Sequence, residues 1–344
     1  MRQTTRFVLL LLLLVATGAA WAETDSKTTG RFLGAKTTVY PEWFKESFLD
    51  LREDIQEAAD EGKRVMIFFH QERCPYCNLM VEKNLSQKEI SDSMQQHLDV
   101  IEFNMWGDRE VTGLDGANLT EKEFAAALRV QFTPTILAFD ENGNVVLRLN
   151  GYIPPQKFKV ALDYVINRRE QAQSYRQYLA SQRPAQPSGT LNPQPFFNTE
   201  LKDLTRNNHR PLAVFFEQTQ CPGCDSAHRE VFDAHSVRTE IHPFDTVQLD
   251  MWSNQQITTP DGRQLSTRNW AKELGVTFAP TVVLFDGNGQ EVIRSEAYFK
   301  QFHTASIFNY VSSGDYRKQP SFQRYLSARA EHIRETGQDV NIWQ

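Results

Sequence analysis

Four cysteines occur in the 344 residues, and they come as two close pairs, Cys74-Pro75-Tyr76-Cys77 and Cys221-Pro222-Gly223-Cys224. No thiol is left for a conventional structural cross-link. Two intervening residues let the second sulfur come within bonding distance of the first once a helical turn forms. Each pair follows an apolar run (65–69 or 212–216) and precedes a stretch of helical character. A helix N-terminus carries unpaired N–H groups and partial positive charge, which stabilise a thiolate. Cys74 and Cys221 are therefore expected to be exposed and to have a depressed pKa. Pro75 and Pro222 suit the first helical turn, where proline forfeits no hydrogen bond. This pattern points to thiol–disulfide exchange.

A second motif follows each pair. Phe132-Thr133-Pro134-Thr135 places Pro134 60 residues after Cys74, and Phe278-Ala279-Pro280-Thr281 places Pro280 59 residues after Cys221. Proline is disfavoured in an inner strand, yet both sit where a loop enters one. We expect both to be cis and to lie against their cysteine pairs. The backbone of Thr133 and Ala279 would then be free to pair with a substrate chain beside the sulfur. Zinc is the main alternative for paired cysteines, but structural zinc sites place their pairs about 15–20 residues apart and need no Pro-Thr step. The eight histidines show no metal-ligand spacing; His228 and His235 read as core or surface residues.

The elements that must position these groups occur twice. Phe68-Phe69 matches Phe215-Phe216, Met105-Trp106 matches Met251-Trp252, Asp115-Gly116 matches Asp261-Gly262, and Ser174-Tyr175 matches Ser321-Phe322, at offsets of 146 or 147. A period this long, occurring twice, means tandem domains. Each unit reads as β-α-β-α-β-β-α. Its first strand is the continuous apolar run of a doubly covered central strand. Second strands are expected at 100–103 and 246–249. Thr120-x-x-Glu123 is a capping box opening a helix over 121–129. Hairpins are expected around 140–143 and 286–289, and closing amphipathic helices over 155–166 and 302–311. The polar segments 107–118 and 253–267 read as loop insertions, and the tails 171–182 and 321–335 as helices that join the domains or form a dimer contact. Trp106, Trp252, Phe103 and Met105 are expected to pack the fold. Residues 181–195 are rich in Pro, Ser, Gln and Gly and read as an extended connector. The expected domains are 36–180 and 196–335.

Residues 1–22 read as a secretory signal: Arg2 and Arg6 give the positive start, 7–15 the apolar core, and Ala20-Trp21-Ala22 a small-x-small cleavage site. The apolar run is short of the ~20 residues that span a bilayer. Export implies an oxidising compartment where disulfides persist; the signal fits a bacterial envelope protein, so the periplasm is expected, with a eukaryotic secretory route as the alternative. Loss of Arg2 and Arg6 would take the net charge from −6 to −8, which argues against nucleic acid as a partner. No stable membrane anchor is expected after cleavage.

With these motifs both halves resemble the thioredoxin superfamily, over roughly 36–169 and 196–316, and most of all periplasmic thioredoxin-like proteins associated with sulfur oxidation. The resemblance implies an α/β chain of two tandem thioredoxin-fold domains. It implies Cys74 and Cys221 as attacking thiols and Cys77 and Cys224 as resolving ones. The substrate groove would be lined by Pro75, Tyr76, Thr133 and Pro134 in one domain and Pro222, Gly223, Ala279 and Pro280 in the other. Thioredoxin itself has an acidic residue six positions before the first cysteine; here Phe68 and Phe215 stand there. His70, Glu72 and Glu217 are candidates to move protons in its place. The Pro-Tyr dipeptide and Thr133 favour a reductase or isomerase over an oxidase. No dissociable cofactor or metal is expected. Turnover would need substrate proteins or thiols carrying disulfides and a membrane redox partner. The alternative is a binding or chaperone module in which one domain has lost turnover, since Gly223 and Ala279 make the second pocket smaller and less polar.

Overall fold

The computed structural model describes residues 29–182, 189–207, 210–297 and 299–343. The expected leader 1–22 and part of the expected connector, 183–188, lie outside the described residues.

After a short strand β1 (Phe32–Leu33) comes α1 (Leu51–Asp60), whose N-cap Asp50 accepts from the N–H groups of Arg52 at 3.1 Å and Glu53 at 3.2 Å. Strand β2 (Arg64–His70) is buried through Phe69, as an apolar run covered on both faces must be. Then follow α2 (Pro75–Met80), a π-helical turn (Val81–Leu85), α3 (Lys88–His97) and β3 (Leu98–Asn104). A hairpin of β4 (Glu110–Thr112) and β5 (Asn118–Thr120) leads into α4 (Glu121–Ala127). Thr120 and Glu123 form the reciprocal capping box there. Strands β6 (Thr135–Phe139) and β7 (Val145–Asn150) precede α5 (Pro155–Ile166) and α6 (Tyr175–Ser181). The sheet runs β3-β2-β6-β7, parallel between β2 and β3 and antiparallel elsewhere.

The second repeat builds the same sheet. Its elements are β8 (Leu212–Glu217), α7 (Pro222–Ala227), a π-helical turn (His228–Phe232), α8 (His235–Ile241) and β9 (Asp245–Asp250). Next come β10 (Gln256–Thr258), β11 (Gln264–Ser266), α9 (Thr267–Glu273), β12 (Thr281–Phe285) and β13 (Glu291–Ser295). It ends with α10 (Gln301–Ser312), α11 (Phe322–Glu335) and β14 (Val340–Asn341), and its sheet order is β13-β12-β8-β9.

Three features depart from expectation. Helix α1 was not foreseen, and among the described residues the second repeat has no counterpart to it. There a single parallel bridge from Asp203 to Thr258 stands where Asp50 meets Thr112 in the first repeat. The segments 107–118 and 253–267 are not plain loops. Each folds into a hairpin that buries one apolar residue, Val111 or Ile257, too short a pattern for strand alternation to be legible.

The tails α6 and α11 cross over. On the first repeat, the Phe322 N–H donates to Gln131 Oε1 at 3.1 Å, the Gln323 amide donates to the Gln131 carbonyl at 3.0 Å, and the Phe322 ring lies 5.5 Å from that of Phe132. On the second, Tyr175 packs on Phe278 at 5.8 Å, and Arg176 donates to the carbonyls of Val276 and, at 2.9 Å, Met251. The Arg176 guanidinium also stacks 4.4 Å over Trp252, as Arg324 stacks 5.0 Å over Trp106. One apolar core therefore runs through both repeats. Strand β14 returns to pair in parallel with β1.

Candidate active site

Each cysteine pair sits where a central strand gives way to a helix. Cys74 is the N-cap of α2 and Cys221 that of α7, with Pro75 and Pro222 in the first turn. Each Sγ accepts a hydrogen bond from the N–H of the second cysteine, Cys77 or Cys224, at 3.1 Å. Sulfur thus takes the place of the usual capping oxygen and satisfies an otherwise orphaned donor. Both pairs are closed as disulfides, with Cα atoms 5.3 and 5.1 Å apart.

The Thr133–Pro134 and Ala279–Pro280 peptide bonds are both cis. The following threonine fixes each turn, Thr135 donating to the Phe132 carbonyl and Thr281 to the Phe278 carbonyl, both at 2.8 Å. The Thr133 hydroxyl lies 3.3 Å from Cys74 Sγ. A Cβ added at Gly223 would lie 3.6 Å from Pro280 Cδ and 3.8 Å from the Ala279 oxygen. Cysteine pair and cis-proline are therefore neighbours in both repeats.

The expectation of exposed first cysteines is corrected: Cys74 is 2% exposed and Cys221 6%. Residues of the opposite repeat pack against both sites. Tyr76, 3% exposed, is walled in by rings of the second repeat, Phe299 at 5.3 Å, His303 at 5.0 Å and Trp343 at 5.7 Å. A cavity of about 20 Å³ at Cys74 is lined by Thr133 of the first repeat and by Phe299, His303 and Phe322 of the second. The second site meets α5 of the first repeat through Lys157, which donates to the Ala279 carbonyl at 3.2 Å.

The proton-transfer candidates fall in different settings. His70 ends β2, and its Nε2 meets Glu102 on β3; that hydrogen bond, aided by Arg109, holds the Glu102 carboxyl below its usual range. Glu72 is exposed. Glu217 is fully buried, accepting from His228 Nε2 at 2.7 Å and from the Gln248 amide at 3.1 Å. His228, expected as a bland residue, is thus Glu217's partner. Trp106 and Trp252 tie the flanks together, each donating to a glutamine just past the central strand, Gln71 at 2.9 Å and Gln218 at 2.8 Å.

Sequence reasoning missed Lys157 and His303. Both are the third residue of a closing helix, α5 or α10, 146 positions apart. A recurring base at one repeat position was the available signal, but nothing in the sequence says that it points across to the other unit. Among the described residues no cluster of three or more His, Cys, Asp or Glu could hold a metal ion, and no helix is long and apolar enough to cross a membrane.

Residues 51–166 and 197–312 match the profile of the thioredoxin-like domain. Among solved structures, the chain is similar to a thioredoxin-fold protein from Helicobacter pylori, at 16% identity and a TM-score of 0.36, covering 40% of this chain and 91% of that one. It is similar to a thioredoxin from Thermus thermophilus, at 28% identity and a TM-score of 0.27, covering 34% and 83%. The reduced C-terminal domain of DsbD from Neisseria meningitidis matches at 17% identity and a TM-score of 0.26, covering 33% and 93%. No curated protein matches the chain.

Proposed function

The chain belongs to the thioredoxin-like family, with two domains of it in tandem, and from that premise we propose that it is an exported thiol–disulfide oxidoreductase acting on protein disulfides in the reductive or isomerising direction. In each repeat the first cysteine, Cys74 or Cys221, attacks a substrate disulfide as a thiolate and forms a mixed disulfide. The second, Cys77 or Cys224, then displaces the substrate sulfur and closes the ring again. Pro75, Tyr76, Thr133 and Pro134 flank the first sulfur; Pro222, Gly223, Ala279 and Pro280 flank the second. The preference for reduction over oxidation comes from Tyr76 and Thr133. Electrons would come from a membrane redox partner, with the periplasm as the site of action. The reading is carried by one observation: all four cysteines lie as two closed pairs, each with its first sulfur capping a helix beside a cis-proline.

The test is dithiol-driven insulin reduction by Cys74→Ser and Cys221→Ser variants separately. Loss of rate in either supports the reading, and unchanged rates in both end it. The reduction potential of each pair gives direction: a value near thioredoxin's marks a reductant, one near that of a strong periplasmic oxidant the reverse.

The burial of both first sulfurs favours a second reading, a chaperone-like module that binds chains without turnover. Suppression of aggregation by a variant with all four cysteines changed to serine, undiminished from the native level, would favour it.

A further inference from the structure

Lys157 and His303 occupy the same position in the two closing helices, and each leaves its own repeat to meet the other's cysteine pair. Lys157 Nζ stands 3.2 Å from the Ala279 oxygen and 3.8 Å from where a Cβ on Gly223 would sit. It lies on the side of Gly223 where a side chain would project. Lys157 is an exposed residue by surface area, yet its ammonium lies against the second repeat, and the desolvation there lowers its pKa. Among the described residues no carboxylate pairs with it. His303 borders the same small cavity as Cys74 and Thr133. It is 9% exposed, and its Nδ1 is buried without a hydrogen-bond partner. A buried polar atom left unpartnered requires an explanation. Neither repeat has an acid six positions before its first cysteine, since the buried rings of Phe68 and Phe215 stand there.

We propose that the two repeats exchange bases: Lys157 of the first is the counter-charge for the Cys221 thiolate of the second, and His303 of the second is the proton acceptor for the Cys74 thiol of the first. This rests on reading the pairs as exchange sites. When an incoming dithiol reduces Cys221–Cys224, the S–S bond breaks and two electrons pass to the cysteine sulfurs while the dithiol closes to its own disulfide. Of the two protons the dithiol gives up, one stays on Cys224 as thiol and one goes to solvent, leaving Cys221 as thiolate beside the ammonium. In the first repeat the same reduction leaves Cys77 as thiol, and the proton that Cys74 would carry passes to His303 Nδ1 as an imidazolium–thiolate pair. Burial depresses the pKa of His303 to about 4, so it is neutral while the disulfide is closed, and only the negative charge of the Cys74 thiolate would let it hold the proton. The other ionisable groups beside it are Tyr76, against its ring, and Glu72 and Arg73 across the adjoining pocket.

The test isolates each pair. In a Cys74→Ser/Cys77→Ser background the pH dependence of alkylation gives the Cys221 pKa; in a Cys221→Ser/Cys224→Ser background it gives that of Cys74. Lys157→Met should raise the Cys221 pKa by about one pH unit or more and leave Cys74 unchanged. Lys157→Arg should retain most of the depression. His303→Phe should raise the Cys74 pKa and leave Cys221 unchanged, with His303→Gln as a second variant that keeps a polar side chain. Each substitution is made in both backgrounds, and a native pKa at the pair it does not face reports that the fold is intact. Variants whose opposite cysteine keeps its native pKa overturn the exchange of bases. If dithiol reduces and oxidant recloses the pair retained in each background, the oxidoreductase reading survives that failure. If neither pair can be reduced in the folded protein, both readings fall together.

Discussion

The phenol oxygen of Tyr76 accepts a hydrogen bond from the backbone N–H of Lys300 at 2.9 Å, so the residue between the first two cysteines is fastened to the other repeat. A residue in this position would ordinarily face an incoming substrate. Here it faces Phe299, His303 and Trp343 instead. Access to Cys74 is therefore governed by how firmly the repeats hold each other.

Replacing Tyr76 by alanine should remove a nearly fully buried ring and lower stability by about 3–5 kcal/mol, the range for emptying an aromatic core site. The same change should speed alkylation of reduced Cys74 with no change at Cys221. Denaturant titration and peptide-resolved alkylation kinetics measure the two effects. A rate at Cys74 equal to the native one would mean that Tyr76 does not control access.

The crossed tails make a paired prediction. Phe322→Ala should uncover Cys74, and Tyr175→Ala should uncover Cys221, because each ring packs on the aromatic residue two positions before the opposite repeat's cis-proline. Alkylation of the two reduced pairs in each variant reads this directly, and equal gains at both sites in both variants would contradict it.

Arg176→Met should cost about 2–3 kcal/mol. The guanidinium satisfies the carbonyls of Val276 and Met251 at a buried position, and its removal strands buried acceptors. Because those carbonyls belong to the second repeat, the loss should also raise hydrogen exchange in 251–276. Thermal unfolding with exchange mass spectrometry is the measurement.

His303 links stability to pH. Its folded pKa is depressed from 6.5 to about 4 by burial, so between those values the unfolded chain binds a proton that the folded protein refuses. Stability therefore falls as pH drops through that window, by about 3 kcal/mol in all, and this contribution levels off below it. In the oxidised protein His303→Phe should flatten the loss between pH 6.5 and 4, as measured by urea midpoints. A slope identical to the native one would remove His303 as its source.

Much of this was legible in the chain. The run 65–69 announced a central strand because five apolar residues in a row ahead of a turn suit a strand covered on both faces, and β2 is buried accordingly. The closing helix 155–166 and the capping box at Thr120 were legible for the same local reason: periodicity and caps are properties of adjacent residues. The hairpins β4–β5 and β10–β11 were not legible, since each strand has three residues. Helix α1 carried its signal in Asp50 and the pattern after it, but among the described residues the second repeat has no matching helix.

By itself the sequence determined the cysteine pairs, their helix-capping position, the proline steps opposite them and the duplication, because these depend on spacing along the chain and on backbone preferences. Only the tertiary structure decided that the first sulfurs are covered, that α6 and α11 lie on each other's repeat, and that Lys157 and His303 reach the opposite site. The physical reason is that an amphipathic tail states that it must bury an apolar face, but not against which surface. That choice belongs to the packing of two similar units whose aromatic surfaces, Phe132 with Phe322 and Tyr175 with Phe278, fit each other.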